Sequence, residues 1–316
     1  MICGILAGIT WAAETVIIGI ALAMTPFVTS VEAMFLAPFV STFIHDAASA
    51  IYMMLYNGFR RNLGAVLSVC RTRSFKFLVL SSAIGGPVGM TGYVLAVRYM
   101  GASVGSVSSA AYPAIGSVLA YLFLKENIRR SQWLFLTVTL IGVFGLSYSS
   151  DLNITNFWLG LVGILMCSFG WGIEGVILSK CLGDADIKCE YALQIRQTVS
   201  ALIYGVAILP LIGAGRFTLD LFADGGISVV MVIATAAFFA TVSYLCYYRA
   251  IAKLGVAKAM GLNITYTAWA VVFSVVFLRD CDILNPRTII CAVLVVVCGI
   301  FAAVDFRRIF AKGAAE

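Results

Sequence analysis

Two four-residue motifs, Trp11-Ala-Ala-Glu14 and Trp171-Gly-Ile-Glu174, are where this chain offers chemistry most plainly. The first and fourth residues of a helical tetrad share a face, so each motif sets an indole beside a carboxylate. A carboxylate in an apolar run is costly in hydrocarbon and must face a cavity or a partner. An indole face attracts cations, and aromatic walls with a negative charge suit a quaternary ammonium, which has no hydrogen to donate. The alternative is structural: each Trp packs and each Glu pairs with a fixed cation. For Glu174 that cation would be Arg196, which lies at about the same helical depth. The sequence places no basic residue beside Glu14, so Glu14 is the better candidate for a carboxylate that takes up and releases a proton.

Other polar and aromatic residues stand where they could complete such a site. Tyr244, Tyr247 and Tyr248 fall at helical spacing in one apolar segment, and Asn263, Tyr266 and Trp269 in the next. They could close a cage around a cation or serve ordinary interhelical packing. His45-Asp46 interrupts another apolar run; neighbouring side chains sit about 100° apart on a helix, so both can border one cavity without sharing a face. With Glu14 and Glu174 they are the candidates for taking up and relaying protons, a buried hydrogen-bonded structural pair being the other reading of His45-Asp46. Glu190, Gln194 and Gln197 make an i, i+4, i+7 stripe with Arg196 beside it, lining a pathway or a helix seam. Gly101-Ala-Ser103-Val-Gly105 fits the hydrolase pattern G-x-S-x-G, but that motif needs a strand-to-helix turn and a His–acid pair. Here it falls in a loop between apolar segments. No nucleotide-binding P-loop pattern occurs, so the chain has no evident ATPase of its own, and no enzyme is expected.

The elements that must position these residues are membrane helices. Of 316 residues, 62% are hydrophobic and 11% charged, with a mean hydropathy of +1.02, where a soluble chain carries roughly a quarter charged residues. Ten apolar segments lie near 2–24, 32–55, 75–97, 102–123, 132–149, 157–180, 190–212, 227–250, 256–278 and 287–305. Each approximates the ~20 residues that cross ~30 Å of hydrocarbon. Turns are expected at Thr25-Pro26, Tyr56-Asn57-Gly58 and Asn285-Pro286. The first segment lacks a basic leader and holds Trp11 and Glu14, which argues against a cleaved signal peptide.

Nine scattered cysteines and a single histidine give no metal-ligating cluster, and neither metal, disulfide nor cofactor is expected. The net charge of +6 resides in loops rather than on a soluble face, so no nucleic-acid partner is expected, and the chain is expected to act as a monomer. Arg60, Arg61, Arg71, Arg73, Lys76, Lys125, Arg129, Arg130, Lys180, Lys188, Arg249, Lys253, Arg307, Arg308 and Lys312 would flank one membrane face. Arg98, Arg216, Arg279 and Arg287 would flank the other. That bias puts both termini in the cytoplasm.

The two halves repeat. Besides the Trp-x-x-Glu motifs, Glu32 corresponds to Glu190, Tyr112 to Tyr266, and Phe123-Leu-Lys-Glu126 to Phe277-Leu-Arg-Asp280. Five segments is an odd number, so the copies, residues 1–152 and 153–316, would be inverted, the usual build of secondary transporters with the substrate held midway between repeats.

These features resemble the drug/metabolite transporter (EamA) superfamily over essentially the whole chain. Narrower likeness to the LicB-type bacterial choline permeases lies in Gly85-Gly-Pro-Val-Gly89-Met90, Ser109-Ala-Ala-Tyr112-Pro113-Ala-Ile115, Gly170-Trp171-Gly-Ile-Glu174 and Ile195-Arg196-Gln197. Ser243-Tyr-Leu-Cys-Tyr-Tyr248 and Lys258-Ala-Met-Gly-Leu-Asn263, followed by Tyr266 and Trp269, belong with them. The resemblance implies a choline-type substrate held by Trp11, Trp171 and Tyr244 or its neighbours, imported by alternating access with or without a proton. An exporter of amino acids or cationic drugs, or a non-transporting membrane sensor or scaffold, are the rival readings.

Overall fold

A computed structural model of the chain describes residues 1–100, 102–147, 156–223, 226–279, 281 and 284–303; Asp280, Gly101 and the basic tail with Arg307, Arg308 and Lys312 lie outside them. Among the described residues the chain is all-helical. Helix α1 spans Ile2–Leu22, α2 Val31–Phe59 and the short α3 Leu63–Val69. Then α4 (Ser74–Ala83), a π-turn at Ile84–Val88 and α5 (Gly89–Met100) form one interrupted stretch. Helices α6 (Ala102–Phe123), α7 (Arg130–Ser147) and α8 (Phe157–Cys181) follow. A second interrupted stretch joins α9 (Cys189–Ile203), a π-turn at Tyr204–Ile208 and α10 (Leu209–Leu211). After α11 (Gly215–Ala223) and α12 (Ile227–Leu254) comes a third, α13 (Val256–Asn263), α14 (Tyr266–Phe273) and a π-turn at Ser274–Leu278. Helix α15 (Pro286–Ala303) completes the described chain.

Ile2–Leu22, Val31–Phe59, Ser74–Ala96, Phe157–Cys181, Cys189–Leu211, Ile227–Leu254, Val256–Leu278 and Pro286–Ala303 are each long and apolar enough to cross a membrane. Ala111–Phe123 and Arg130–Leu146 are shorter apolar helices. The outside of the molecule is apolar: Trp158, Phe123, Val206 and Leu211 expose 73, 74, 76 and 84% of their surface. In water such a surface would be untenable; in lipid it is the solvated one. The inside is inverted in the same sense, with Glu14, His45, Asp46, Glu174, Arg196 and Gln197 all buried.

Those polar residues fall between two apolar cores. On α2, Ile44 belongs to one core and Met53 to the other, with His45 and Asp46 at the border. On α9, Leu193 and Ile195 belong to one and Tyr204, just beyond, to the other, with Arg196, Gln197 and Ser200 between. The most extensive packing joins early helices to late ones: α1 to α12, α5 and α6 to α8, α7 to α15, and α2 to α9.

Helix ends follow local chemistry. Ser30 accepts from the Ala33 N–H (3.0 Å) to start α2, and Asn156 accepts from Leu159 N–H (3.1 Å) to start α8, as N-capping residues do. Asn285 accepts from Thr288 N–H (2.9 Å), so the expected turn at Asn285-Pro286 is where α15 begins. The turn expected at Tyr56-Asn57-Gly58 is instead helical. Asn57 is fully buried and its Nδ2 donates to the Glu190 carbonyl (3.4 Å), and α2 runs on to Phe59, with Arg61 just beyond it at a φ of 58°. Ser103 and Gly105 lie in α6, not in a loop, so the hydrolase-like pattern lacks the strand-to-helix turn it needs. Glu126, just after α6, accepts from the N–H groups of Val256 (2.7 Å) and Ala257 (3.2 Å), capping α13 from far along the chain.

Candidate functional site

Helix α1 lies along α12, tied by Ser243 Oγ donating to the Ala7 carbonyl (2.7 Å). That register brings Trp11 edge-on to Tyr244, with centroids 4.9 Å apart and planes at 81°, and to Tyr266, at 6.4 Å and 74°. Tyr266 reaches this cluster because the helix breaks just before it. Ile264 and Thr265 form a turn between α13 and α14, and Thr265 Oγ1 bonds back to the Leu262 carbonyl (2.7 Å). Helices broken in mid-membrane are a recurrent way to build transporter sites. Tyr244 continues to Tyr248 (6.3 Å) and Tyr248 to Tyr247 (6.4 Å).

A second aromatic cluster surrounds the other motif. Trp171 stands edge-on to Tyr112 (5.8 Å, 89°) and stacked with Tyr93 (6.2 Å, 28°). The π-turn at Ile84–Val88 positions it. Within that turn the Gly89 N–H points to the carbonyls of Ile84 and Gly86, leaving the Gly85 carbonyl to accept from Trp171 Nε1 at 2.8 Å. The glycines here let helices approach. A Cβ on Gly89 would lie 2.7 Å from the Trp171 ring, and one on Gly85 would overlap the Glu174 carboxylate. Asn263 Nδ2 donates to Tyr112 OH (3.0 Å), joining α13 to this cluster.

Between the clusters runs a chain of charges. Arg196 Nε lies 3.0 Å from Glu174 Oε1 and its Nη1 3.7 Å from Asp46 Oδ2, while Nη1 also donates to Gln197 Oε1 (2.8 Å). Asp46 accepts from Ser200 Oγ (2.6 Å) and meets His45 Nδ1 at 3.0 Å. His45 Nε2, buried and without a hydrogen-bond partner, faces Glu14 Oε1 at 3.8 Å. Glu14 also receives Thr15 Oγ1 at 3.4 Å. Four helices thus contribute to one line running Glu14–His45–Asp46–Arg196–Glu174. The guanidinium carbon of Arg196 lies 4.6 Å from the Tyr244 ring centroid, linking this line to the first aromatic cluster.

Several expectations change. Glu14 has a basic neighbour after all, His45, hidden in the sequence because it comes from another helix. His45 and Asp46 contact each other directly, the buried pair that was one of the two readings of this dipeptide. Glu174 makes the pair with Arg196 that the structural alternative required. Gln194 turns to the Ala50 carbonyl (3.1 Å) and Thr198 Oγ1 (3.1 Å), making it part of the seam with α2. Glu190 pairs with Arg249 Nη2 (2.8 Å) near the end of that seam. Trp269 is half-buried and forms no ring pair among the described residues. Tyr93, Ser200 and Thr15 join the site without having been singled out. A tyrosine amid the small residues after Gly89 was a signal, but its facing depends on the π-turn. Among the described residues no three His, Cys, Asp or Glu side chains group so as to hold a metal.

Known proteins fit this architecture. Residues 1–148 match the EamA-like transporter family. Protein LicB of Haemophilus influenzae is 31% identical over 193 residues, which cover 61% of this chain; the match spans 63% of the length of LicB. A crystal structure described only as that of a protein superposes with a TM-score of 0.69 at 14% identity, over 98% of this chain and 97% of its own, a likeness of fold alone. With its apolar spans, the chain is a multi-pass protein of the cell membrane. Its motifs, its match over residues 1–148 and its LicB relative place its likeness in the EamA-like transporter family.

Proposed function

We propose that the chain is a secondary transporter that imports choline or a closely related quaternary ammonium by alternating access. In this reading α6 and α7 also cross the bilayer, giving ten spans, both termini are cytoplasmic, and residues 1–152 and 153–316 form two inverted halves. The packing supports the repeat: α1 lies on α12 as α8 lies on α5, and α8 lies on α6 as α1 lies on α13 and α14. Basic residues concentrated at one membrane face support the orientation.

The observation that carries the substrate class is the meeting of both Trp-x-x-Glu motifs at one buried line of charge. Trp11, Tyr244 and Tyr266 on one side, and Trp171, Tyr112 and Tyr93 on the other, offer π-faces. Glu14, Asp46 and Glu174 supply the negative charge that holds a cation lacking donors. Asn263, which donates to Tyr112, and Tyr247, which adjoins Tyr248, complete the proposed site. The likeness to choline permeases in the Trp171–Glu174 and Tyr244–Tyr248 segments points the same way. Counterflow in proteoliposomes with choline, betaine, carnitine, lysine and a bulky cationic dye tests it. Exchange of choline with exclusion of lysine and the dye is expected; exchange of lysine or dye in preference would make the chain a different carrier, and choline binding without flux a sensor.

The driving force need not be a co-ion. One positive charge crossing 100 mV gains about 2.3 kcal/mol, which is roughly fifty-fold accumulation. The Glu14–His45 contact nonetheless offers a proton site beside the cation, and we favour symport with one proton. Symport moves two charges per choline and uniport one, so reversal potentials separate them. A pH gradient at clamped voltage that drives no choline uptake would leave the uniporter.

A further inference from the structure

The aromatic face best placed for a substrate cation is already covered by a cation of the protein itself. Arg196 is 4% exposed, and its guanidinium lies over Tyr244, the ring that also abuts Trp11. Its remaining capacity is spent on Glu174, Asp46 and Gln197. Two cations cannot share one ring face in a medium of low dielectric without strong repulsion. A quaternary ammonium that enters must therefore take the Tyr244 face from Arg196. It cannot take the carboxylates in kind, because it has no N–H to give to Glu174 Oε1 or to Gln197 Oε1, whereas a guanidinium has five.

We propose that Arg196 is a tethered cation that rests on Tyr244 when the transport site is empty and withdraws from that ring, remaining on Glu174 and Asp46, when a quaternary ammonium binds. This rests on the reading of the site as one for organic cations and adds how its charge is kept. Asp46 and Glu174 face one permanent cation, Arg196, while Glu14 faces the imidazole of His45. Arg196 stays with Glu174 and Asp46 in both states, so these buried carboxylates are never left uncompensated, which would be costly; only the Tyr244 face changes hands. Arg196 is thus a positioning and specificity-determining residue: it disfavours cations that gain little on an aromatic face and leaves the carboxylates occupied against those that would hydrogen-bond to them.

Lysine keeps the charge but is a compact, strongly hydrated ammonium that lacks the flat stacking surface. Arg196→Lys therefore retains a partner for Glu174 while freeing Tyr244. Choline titrated into the purified protein, read by tryptophan fluorescence or calorimetry, should bind about three- to ten-fold tighter to Arg196→Lys than to wild type. Choline binding by folded Arg196→Lys that is unchanged or weaker overturns the proposal. Should that variant not fold, Tyr244→Leu decides. The substrate gains that ring only at the guanidinium's expense, so Tyr244→Leu should weaken choline binding less than about three-fold, against about ten- to thirty-fold for Trp171→Ala. Equal losses from the two overturn the proposal. A wild-type protein that binds neither choline nor any other quaternary ammonium overturns the reading of the site itself, and this inference with it.

Discussion

The two Trp-x-x-Glu motifs have the same spacing and different surroundings. In the second, Glu174 is held at 3.0 Å by a guanidinium that is charged at every working pH. In the first, Glu14 faces the free nitrogen of an imidazole at 3.8 Å, a group that, unlike a guanidinium, can be neutral or charged. Trp171 is fixed by a hydrogen bond to Gly85, whereas Trp11 is held by ring contacts alone. The same motif thus stands beside a permanent charge in one place and beside a partner whose charge can switch in the other. The spacing is common to both, and the partners from other helices decide what each copy does.

That contrast can be broken most forcefully at Glu174. Removing one member of a buried ion pair costs about 3–5 kcal/mol, and Asp46 at 3.7 Å retains part of the attraction. Glu174→Gln is expected at the lower end of that range, read as a large fall in thermal midpoint of the purified protein, with Glu14→Gln causing a much smaller one. Equal falls would mean that the two carboxylates carry equal structural weight and that the asymmetry described is illusory.

The next effect concerns Trp171. A desolvated cation–π contact contributes about 2 kcal/mol, so Trp171→Ala should weaken choline binding by roughly ten- to thirty-fold. Trp171→Phe, which keeps a ring but loses the bond to Gly85, should fall between that and wild type. Trp133→Ala, near the start of α7 and away from both clusters, is the control and should change affinity by less than about two-fold. If Trp133→Ala matches Trp171→Ala, Trp171 merely packs.

The smallest effect sharpens the contrast from the other side. Glu14→Gln should leave choline affinity within about two-fold of wild type, since Asp46 and Glu174 remain, yet flatten the pH dependence of uptake. Glu174→Gln should lower uptake without removing that dependence. Uptake measured across a pH series for both variants checks it, and a Glu14→Gln profile parallel to wild type removes Glu14 from proton handling.

The helices are legible in the sequence because lipid imposes a length and a composition on each of them. The Trp-x-x-Glu motifs are legible because a carboxylate in such a run has few reasons to be there. What escapes is set by tertiary contact. The interruption at Ile264-Thr265, which turns Tyr266 toward Trp11, carries no proline or glycine to announce it. The π-turn that aims Trp171 depends on where a helix register slips, and the nearness of His45 to Glu14 joins residues 31 apart on separate helices. Short helices α3 and α11 lie in segments whose hydropathy gave no membrane signal.

The cap on α13 bears on how the protein comes to be made. Its first-turn amides are satisfied by the Glu126 carboxylate, 130 residues earlier in the chain. A helix end that borrows its cap from so far away cannot be completed as it leaves the ribosome. The acceptor is synthesised first and waits in the membrane, and the end of α13 is finished only when the late helices dock on the early ones. That cap is therefore a late bond in assembly, closed only when residues 130 apart in the chain meet.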